Sequence, residues 1–297
     1  MKLLSHIITL SVLLIGNITN ANATDIQFSK ETFTFNNISL PYRKANIVGT
    51  GEKATLLVYL HGGTSKGNNN ESQLQESGIS DICNFLQQQG QKAIFIVPQC
   101  PTDKSWLGPM LSAVHALLDQ YITQGVADAS KVYCFGGSMG GTGTWNMIAT
   151  YPEMFAAAMP VAGNPTGLNA ENVAKVPLFT VMGTADRIMS IPAVEAFLKL
   201  MDTYNPDYRF ETEQGWSHED TCKKSYTAER LNWVINHTKD SSGITTIIPD
   251  NIEIVSTKWY DITGKTYSSQ PSQNGIFIRC VSYNNGSQIT EKVTIMH

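Results

Sequence analysis

Gly136-Gly137-Ser138-Met139-Gly140 sets one serine among small residues in the pattern G-x-S-x-G. The run KVYCF at Lys131–Phe135 precedes it as a buried strand, and GTGTWNMIAT follows as a helix. A sharp strand-to-helix turn needs small neighbours so that the two elements can pass closely. Such a turn lifts the hydroxyl above the sheet, at the positive end of the new helix. The pattern alone is weak, since a glycine-rich turn with a structural serine has the same letters. Its flanks give it weight. A serine hydroxyl attacks a carbonyl at neutral pH only when a base removes its proton.

In this kind of fold the partners follow the serine in the order acid, then histidine. The histidines after Ser138 are His218, His237 and His297. His237 closes a helical segment and His297 ends the chain. His218 follows the strand-like Tyr208–Thr212 and is read as lying in a loop, Gln214-Gly215-Trp216-Ser217, at the carboxyl edge of the sheet. His218 is therefore the expected base. Between the two, Asp186 follows the apolar run VPLFTVM by the short turn Gly183-Thr184-Ala185. Asp202 falls inside a helix and Asp207 in a proline-containing loop, so Asp186 is the expected acid. A carboxylate there fixes the imidazole tautomer and stabilises the imidazolium.

The tetrahedral intermediate needs two N–H donors for its oxyanion. Met139, next to the nucleophile, supplies one. The loop after ATLLVYL (Ala54–Leu60), His61-Gly62-Gly63, supplies the other, with Gly63 favoured. His61 lies upstream of the serine, which argues for a hydrogen bond that organises this loop over a zinc ligand or triad base. Trp106 and Trp216 flank the site. Each reads equally well as a substrate-binding apolar wall or as core packing.

The elements that position these residues are apolar runs of strand length: Ala54–Leu60, Ala93–Val97, Lys131–Phe135 and Val176–Met182. Strands apolar at every position are buried on both faces, which implies a parallel sheet under helices. Helical spacing recurs at Ser80–Gln88, Pro109–Ile122, Thr142–Thr150, Pro192–Tyr204 and Tyr226–Asn236. The expected class is α/β, a doubly wound, mostly parallel sheet of the α/β-hydrolase type. Ahead of it, Ile26–Phe28 and Thr32–Phe35 read as a surface strand pair with a turn at Asn36-Asn37. After a polar linker at Asp240–Gly243, four β-rich runs form a small C-terminal module: Ile252–Val255, Lys258–Tyr260, Gly275–Ile278 and Lys292–Met296. Turns are expected at Thr263-Gly264 and Asn284-Asn285-Gly286.

The domains expected are thus a leader over 1–23, a catalytic domain over 24–240 and a β module over 245–297. Lys2, the apolar run Leu3–Ile15 and the small residues of Ala21-Asn22-Ala23 have the form of a secretory signal peptide cleaved after Ala23. That apolar run is too short to span a bilayer. The chain is therefore expected to be secreted, in the periplasm, at the cell surface or outside the cell. With 297 residues, 42% hydrophobic, a net charge of −4 and no basic stripe, it has no electrostatic footprint for nucleic acid. The five cysteines, Cys83, Cys100, Cys134, Cys222 and Cys280, leave at least one thiol outside any internal disulfide. Their pairing is open, and their spacing does not suit zinc. The N-x-S/T sequons at Asn37, Asn70, Asn236 and Asn285 carry little weight.

LPYRK at Leu40–Lys44, YLHGG at Tyr59–Gly63, VPQCP at Val97–Pro101, GGSMGGTGTW at Gly136–Trp145 and YPEMFAAAMPVAG at Tyr151–Gly163 resemble secreted α/β-hydrolase esterases. The resemblance is to prolyl-oligopeptidase-like carboxylesterases, related to feruloyl and acetylxylan esterases. It spans about residues 30–237 and implies the triad Ser138, Asp186 and His218. Two departures stand out. Thr64 and Ser65 replace a glycine and a glutamate of the pattern HGxGExG, and Arg187 and Ser190 replace the prolines of D-P-x-x-P. The C-terminal part resembles the type IX sorting modules of exported Bacteroidetes proteins, which implies contact with a secretion machinery.

The reading that follows is a secreted serine carboxylesterase needing no metal or cofactor. Its substrate, on the resemblance alone, is a feruloyl or acetyl ester of plant polysaccharide. Two alternatives are a serine peptidase of prolyl-oligopeptidase type and a catalytically silent glycan-binding protein. A peptidase of that type usually carries a large gating domain, for which this chain has no room.

Overall fold

The computed structural model describes residues 26–239, 254–261, 263–269, 271–283 and 288–295. The leader, the linker Asp240–Gly243, the turn at 284–286 with its sequon, and His297 lie outside the described residues. The chain divides into two units, one ending at Lys239 and one beginning at Asp240.

The first unit opens with a hairpin of β1 (Phe28–Phe35) and β2 (Ile38–Ile47). Its turn is Asn36-Asn37, with φ of 46° and 64°, a region asparagine tolerates better than most residues. Here the structure departs from the sequence reading. Residues 28–35 form one continuous strand, and its partner is the LPYRK segment.

The remaining strands are β3 (Thr50–Leu60), β4 (Gln91–Pro98), β5 (Ala127–Gly137), β6 (Ala157–Val161), β7 (Leu178–Gly183) and β8 (Tyr208–Glu213). They form one eight-stranded sheet in the order β1-β2-β4-β3-β5-β6-β7-β8. β2 pairs antiparallel with both β1 and β4, and every pairing from β4 to β8 is parallel. The helices are α1 (Ser77–Gln89), α2 (Pro109–Thr123), α3 (Met139–Thr150), α4 (Ala170–Val173), α5 (Ile191–Met201), α6 (His218–Lys224) and α7 (Ala228–Ile235). This is an α/β-hydrolase fold, mostly parallel and covered on both faces.

The strand letters explain that cover. In β3, Leu56, Val58 and Leu60 join the core containing Leu117, Leu118 and Trp145, while Leu57 and Tyr59 join the opposite core with Leu86, Phe95 and Val234. Both sets are 0% exposed in β3. Fully burying each such aliphatic side chain is worth about 1.5–3 kcal/mol, so neither layer can peel away cheaply.

Two short elements lack a strong sequence signal. β6 is AAMPV, and Pro160 cannot donate in the sheet; its carbonyl instead accepts from Thr180 Oγ1 at 2.7 Å. α6 is the polar HEDTCKK. Cys83, Cys100 and Cys134 are buried free thiols, and Cys222 is a half-buried one. The Asn70 amide is buried in hydrogen bonds to Glu31, Tyr42 and Gln73, so that sequon faces inward.

The second unit is a four-stranded antiparallel sheet of β9 (Ile254–Asp261), β10 (Thr266–Tyr267), β11 (Gly275–Tyr283) and β12 (Gln288–Ile295), in the order β10-β9-β11-β12. Trp259 and Phe277 are its buried pair, and Tyr267 packs against them. Among the described residues no helix is long and apolar enough to cross a membrane.

Candidate active site

β5 ends at Gly137 and α3 begins at Met139, leaving Ser138 alone at the turn with φ 59° and ψ −120°. A non-glycine residue there is strained by about 1–3 kcal/mol. Neighbouring hydrogen bonds hold it. The Ser138 N–H donates to the Val161 carbonyl at 3.0 Å, and its own carbonyl accepts from Thr142 N–H at 2.9 Å. The helix thus starts three residues earlier than its apolar spacing predicted, directly after the serine.

Ser138 Oγ donates to His218 Nε2 at 2.7 Å, and His218 Nδ1 donates to Asp186 Oδ2 at 2.7 Å. A carboxylate can only accept, so the proton between them sits on Nδ1, and Nε2 is left as the acceptor that faces the hydroxyl. Asp186 follows β7, and its side chain is 0% exposed. Its other oxygen, Oδ1, accepts from the N–H groups of Ile188 (2.7 Å) and Met189 (2.9 Å), which fix the carboxylate plane. The three sequence-predicted residues are therefore brought together.

His218 itself is the first residue of α6 and not part of a loop, a correction to the sequence reading. The reason is a capping box: Ser217 Oγ accepts from Asp220 N–H at 3.2 Å, while Asp220 Oδ2 accepts from Ser217 N–H at 3.2 Å. The cap fixes where the helix starts, and so where the imidazole leaves the backbone. The rejected candidates are engaged elsewhere. His237 Nε2 contacts Asp207 at 3.0 Å, and Asp202 accepts from the Tyr208 hydroxyl at 3.0 Å.

The first N–H groups of a helix have no intrahelical partner. Met139 opens α3, and Gly63 opens a short 3₁₀ turn, Gly63–Ser65. The Gly62 N–H is already taken by Glu76 Oε1 at 3.0 Å, so it is not free to receive an oxyanion. His61 is fully buried. Its Nδ1 donates to the Gly62 carbonyl at 2.7 Å and its Nε2 accepts from Cys100 N–H at 2.9 Å. Burial pushes its pKa down to about 4, so the ring stays neutral and holds the loop from both sides.

Trp106 is 1% exposed; its indole N–H donates to the His61 carbonyl at 3.0 Å, and its ring meets His61 edge-on. It packs beneath the loop and lines no substrate wall, the other of its two readings. Trp216 is half-buried, with the cations of Lys224 and Arg230 at 5.6 Å and 5.9 Å from its ring centre. That ring anchors the segment before His218. Sequence reasoning missed Glu76, for no local motif links it to Gly62. Among the described residues no group of three or more His, Cys, Asp or Glu side chains gathers to hold a metal.

Residues 96–239 match the Dienelactone hydrolase family. The chain is 27% identical over 146 residues to a probable acetylxylan esterase A of Aspergillus flavus, covering 49% of this chain and 40% of that protein. Among solved structures it is similar to a thermostable esterase, with TM-score 0.67 and 24% identity over 71% of this chain and 63% of the other. It is also similar to a feruloyl esterase module from Clostridium thermocellum complexed with sinapinate, with TM-score 0.56 and 15% identity over 71% and 89%. Its matches to curated relatives span 13% to 64% of their length.

Proposed function

We propose that this chain is a serine esterase that hydrolyses carboxylic esters through an acyl-enzyme. One observation carries the reading: the unbroken relay from Ser138 through His218 to the buried Asp186, at 2.7 Å for each link. Ser138 Oγ attacks the ester carbonyl as His218 Nε2 takes its proton. Asp186 keeps Nδ1 protonated and stabilises the imidazolium. Met139 and Gly63 N–H groups receive the oxyanion. The imidazolium then protonates the departing alcohol. In the second half a water, deprotonated by His218, attacks the acyl-serine and releases the acid.

The likeness to acetylxylan and feruloyl esterases favours acetyl or hydroxycinnamoyl esters on plant polysaccharide as substrates. The leader motif supports secretion, and the C-terminal module is proposed as the part a secretion machinery reads. Acetate release from acetylated xylan and ferulate release from feruloylated arabinoxylan, by wild type beside Ser138→Ala, test the substrate class. Release by wild type alone is the expected result. Cleavage of short peptides with no release from either polysaccharide would favour the peptidase reading, and xylan binding without turnover would favour the glycan-binding one. Amino-terminal sequencing of exported protein, expected to begin at Thr24, tests the leader.

A further inference from the structure

Glu76 is the residue before α1, the position at which a serine, threonine, aspartate or asparagine side chain ordinarily caps a helix. It makes no such cap. Instead Oε1 crosses to the loop after β3, accepting from Gly62 N–H at 3.0 Å and from Ser65 Oγ at 2.6 Å. One carboxylate oxygen thus grips both ends of the four-residue segment Gly62–Ser65, and Gly63 lies between those grips. On its far side the same segment is held by His61, whose Nδ1 donates to the Gly62 carbonyl. A Cβ added to Gly62 would stand 3.4 Å from Glu76 Oε1 and 3.6 Å from Ser138 Cβ, so the grip lies directly beside the nucleophile.

We propose that Glu76 is a positioning residue for the oxyanion site, acting by fixing Gly62–Ser65 so that the Gly63 N–H points to the substrate oxygen. This rests on the esterase reading above. The Gly62 N–H bond has a second effect. It removes a competing donor, so the oxyanion is received at Gly63 and Met139. Both bonds use Oε1 as an acceptor, so the role is geometric and a glutamine carbonyl fills it. A negative charge near a developing oxyanion gives no help of its own.

The test compares wild type, Glu76→Ala and Glu76→Gln, with Tm and near-ultraviolet circular dichroism establishing that each is folded. With 4-nitrophenyl acetate, Glu76→Ala is expected to lower kcat by about 10- to 100-fold, part of the loss seen when an oxyanion donor is removed outright. KM should change less than about threefold, and Glu76→Gln should restore kcat to within about threefold. The affinity for phenylboronic acid, which forms a tetrahedral adduct, should weaken in step with kcat/KM. Amide hydrogen exchange gives a readout that needs no substrate: the hydrogen-bonded amides of Gly62 and Ser65 should lose protection in Glu76→Ala and keep it in Glu76→Gln. Unchanged protection in Glu76→Ala, unchanged kcat, or failure of the folded glutamine variant to rescue each overturns the proposal. Should Glu76→Ala not fold, Glu76→Gln and Ser65→Ala carry the same comparison, Ser65→Ala being expected to lose part of kcat. If wild type hydrolyses no ester, the esterase reading fails and the oxyanion role fails with it, while exchange alone decides whether Glu76 holds the loop.

Discussion

A methyl group on Gly140 would stand 1.7 Å from the carbonyl oxygen of Leu60. The helix that follows Ser138 therefore lies against the end of β3 with no space for a side chain, and the His61-Gly62-Gly63 loop begins one residue later. The same crowding holds at Gly136, where a Cβ would come within 2.4 Å of the Gly140 carbonyl oxygen. The glycines on either side of Ser138 are close-approach positions, which ties the G-x-S-x-G spacing to the geometry of two loops.

Gly140→Ala is accordingly expected to be among the most damaging small substitutions in the chain. Overpacking of this kind costs about 1–3 kcal/mol or more, and here the obstacle is backbone. Urea unfolding of purified variant and wild type measures it. A loss below about 0.5 kcal/mol with full activity would mean that α3 and β3 do not approach this closely.

Trp106→Phe separates packing from substrate contact. It keeps most of the ring but leaves the buried His61 carbonyl without its 3.0 Å donor. The expected result is a stability loss of about 1–3 kcal/mol, with KM for phenyl and sugar esters altered less than about twofold. A large KM effect at unchanged stability would restore Trp106 to the substrate wall.

His61 makes stability depend on pH. Its folded pKa, about 4, lies below the ordinary 6.5 because burial disfavours the charged ring. Between those values the unfolded chain takes up a proton that the folded chain refuses, so stability falls as pH drops from about 6.5 towards 4. Above 6.5 the residue contributes no pH slope. The expected difference across the window is on the order of 3 kcal/mol, measured as the slope for wild type minus that for His61→Gln. Equal slopes would contradict a neutral, buried His61.

Asp186→Asn keeps the size of the side chain but replaces the acceptor that sets the His218 tautomer. Turnover should drop about 10³- to 10⁴-fold with the fold intact. A fall below tenfold would mean that another group orients the imidazole.

Much of this was legible in the chain itself. Leu56–Leu60 and Phe95–Val97 read as two-faced buried strands because each alternate residue does enter an opposite core. Ser138, Asp186 and His218 could be picked out because strand ends and chain order leave few candidates. What escaped was set by tertiary contact or by short, polar elements. β6 is hidden by its alanines and Pro160. α6 is too polar for apolar periodicity, although Ser217 and Asp220 carry a capping signal that was there to be read. Glu76 had no such signal, for its role depends on a contact across 14 residues that exists only once α1 packs beside the loop. Trp106 could not be resolved between wall and core until its indole found the His61 carbonyl.

The most direct test of the whole account is the hydrolysis of 4-nitrophenyl acetate by the purified protein beside Ser138→Ala. Wild type should turn over, and the variant should fall by about 10³-fold or more, to the residual level left by binding and the oxyanion site. Equal activity in the two proteins would mean that Ser138 is not the nucleophile, and inactivity of both would contradict the esterase itself.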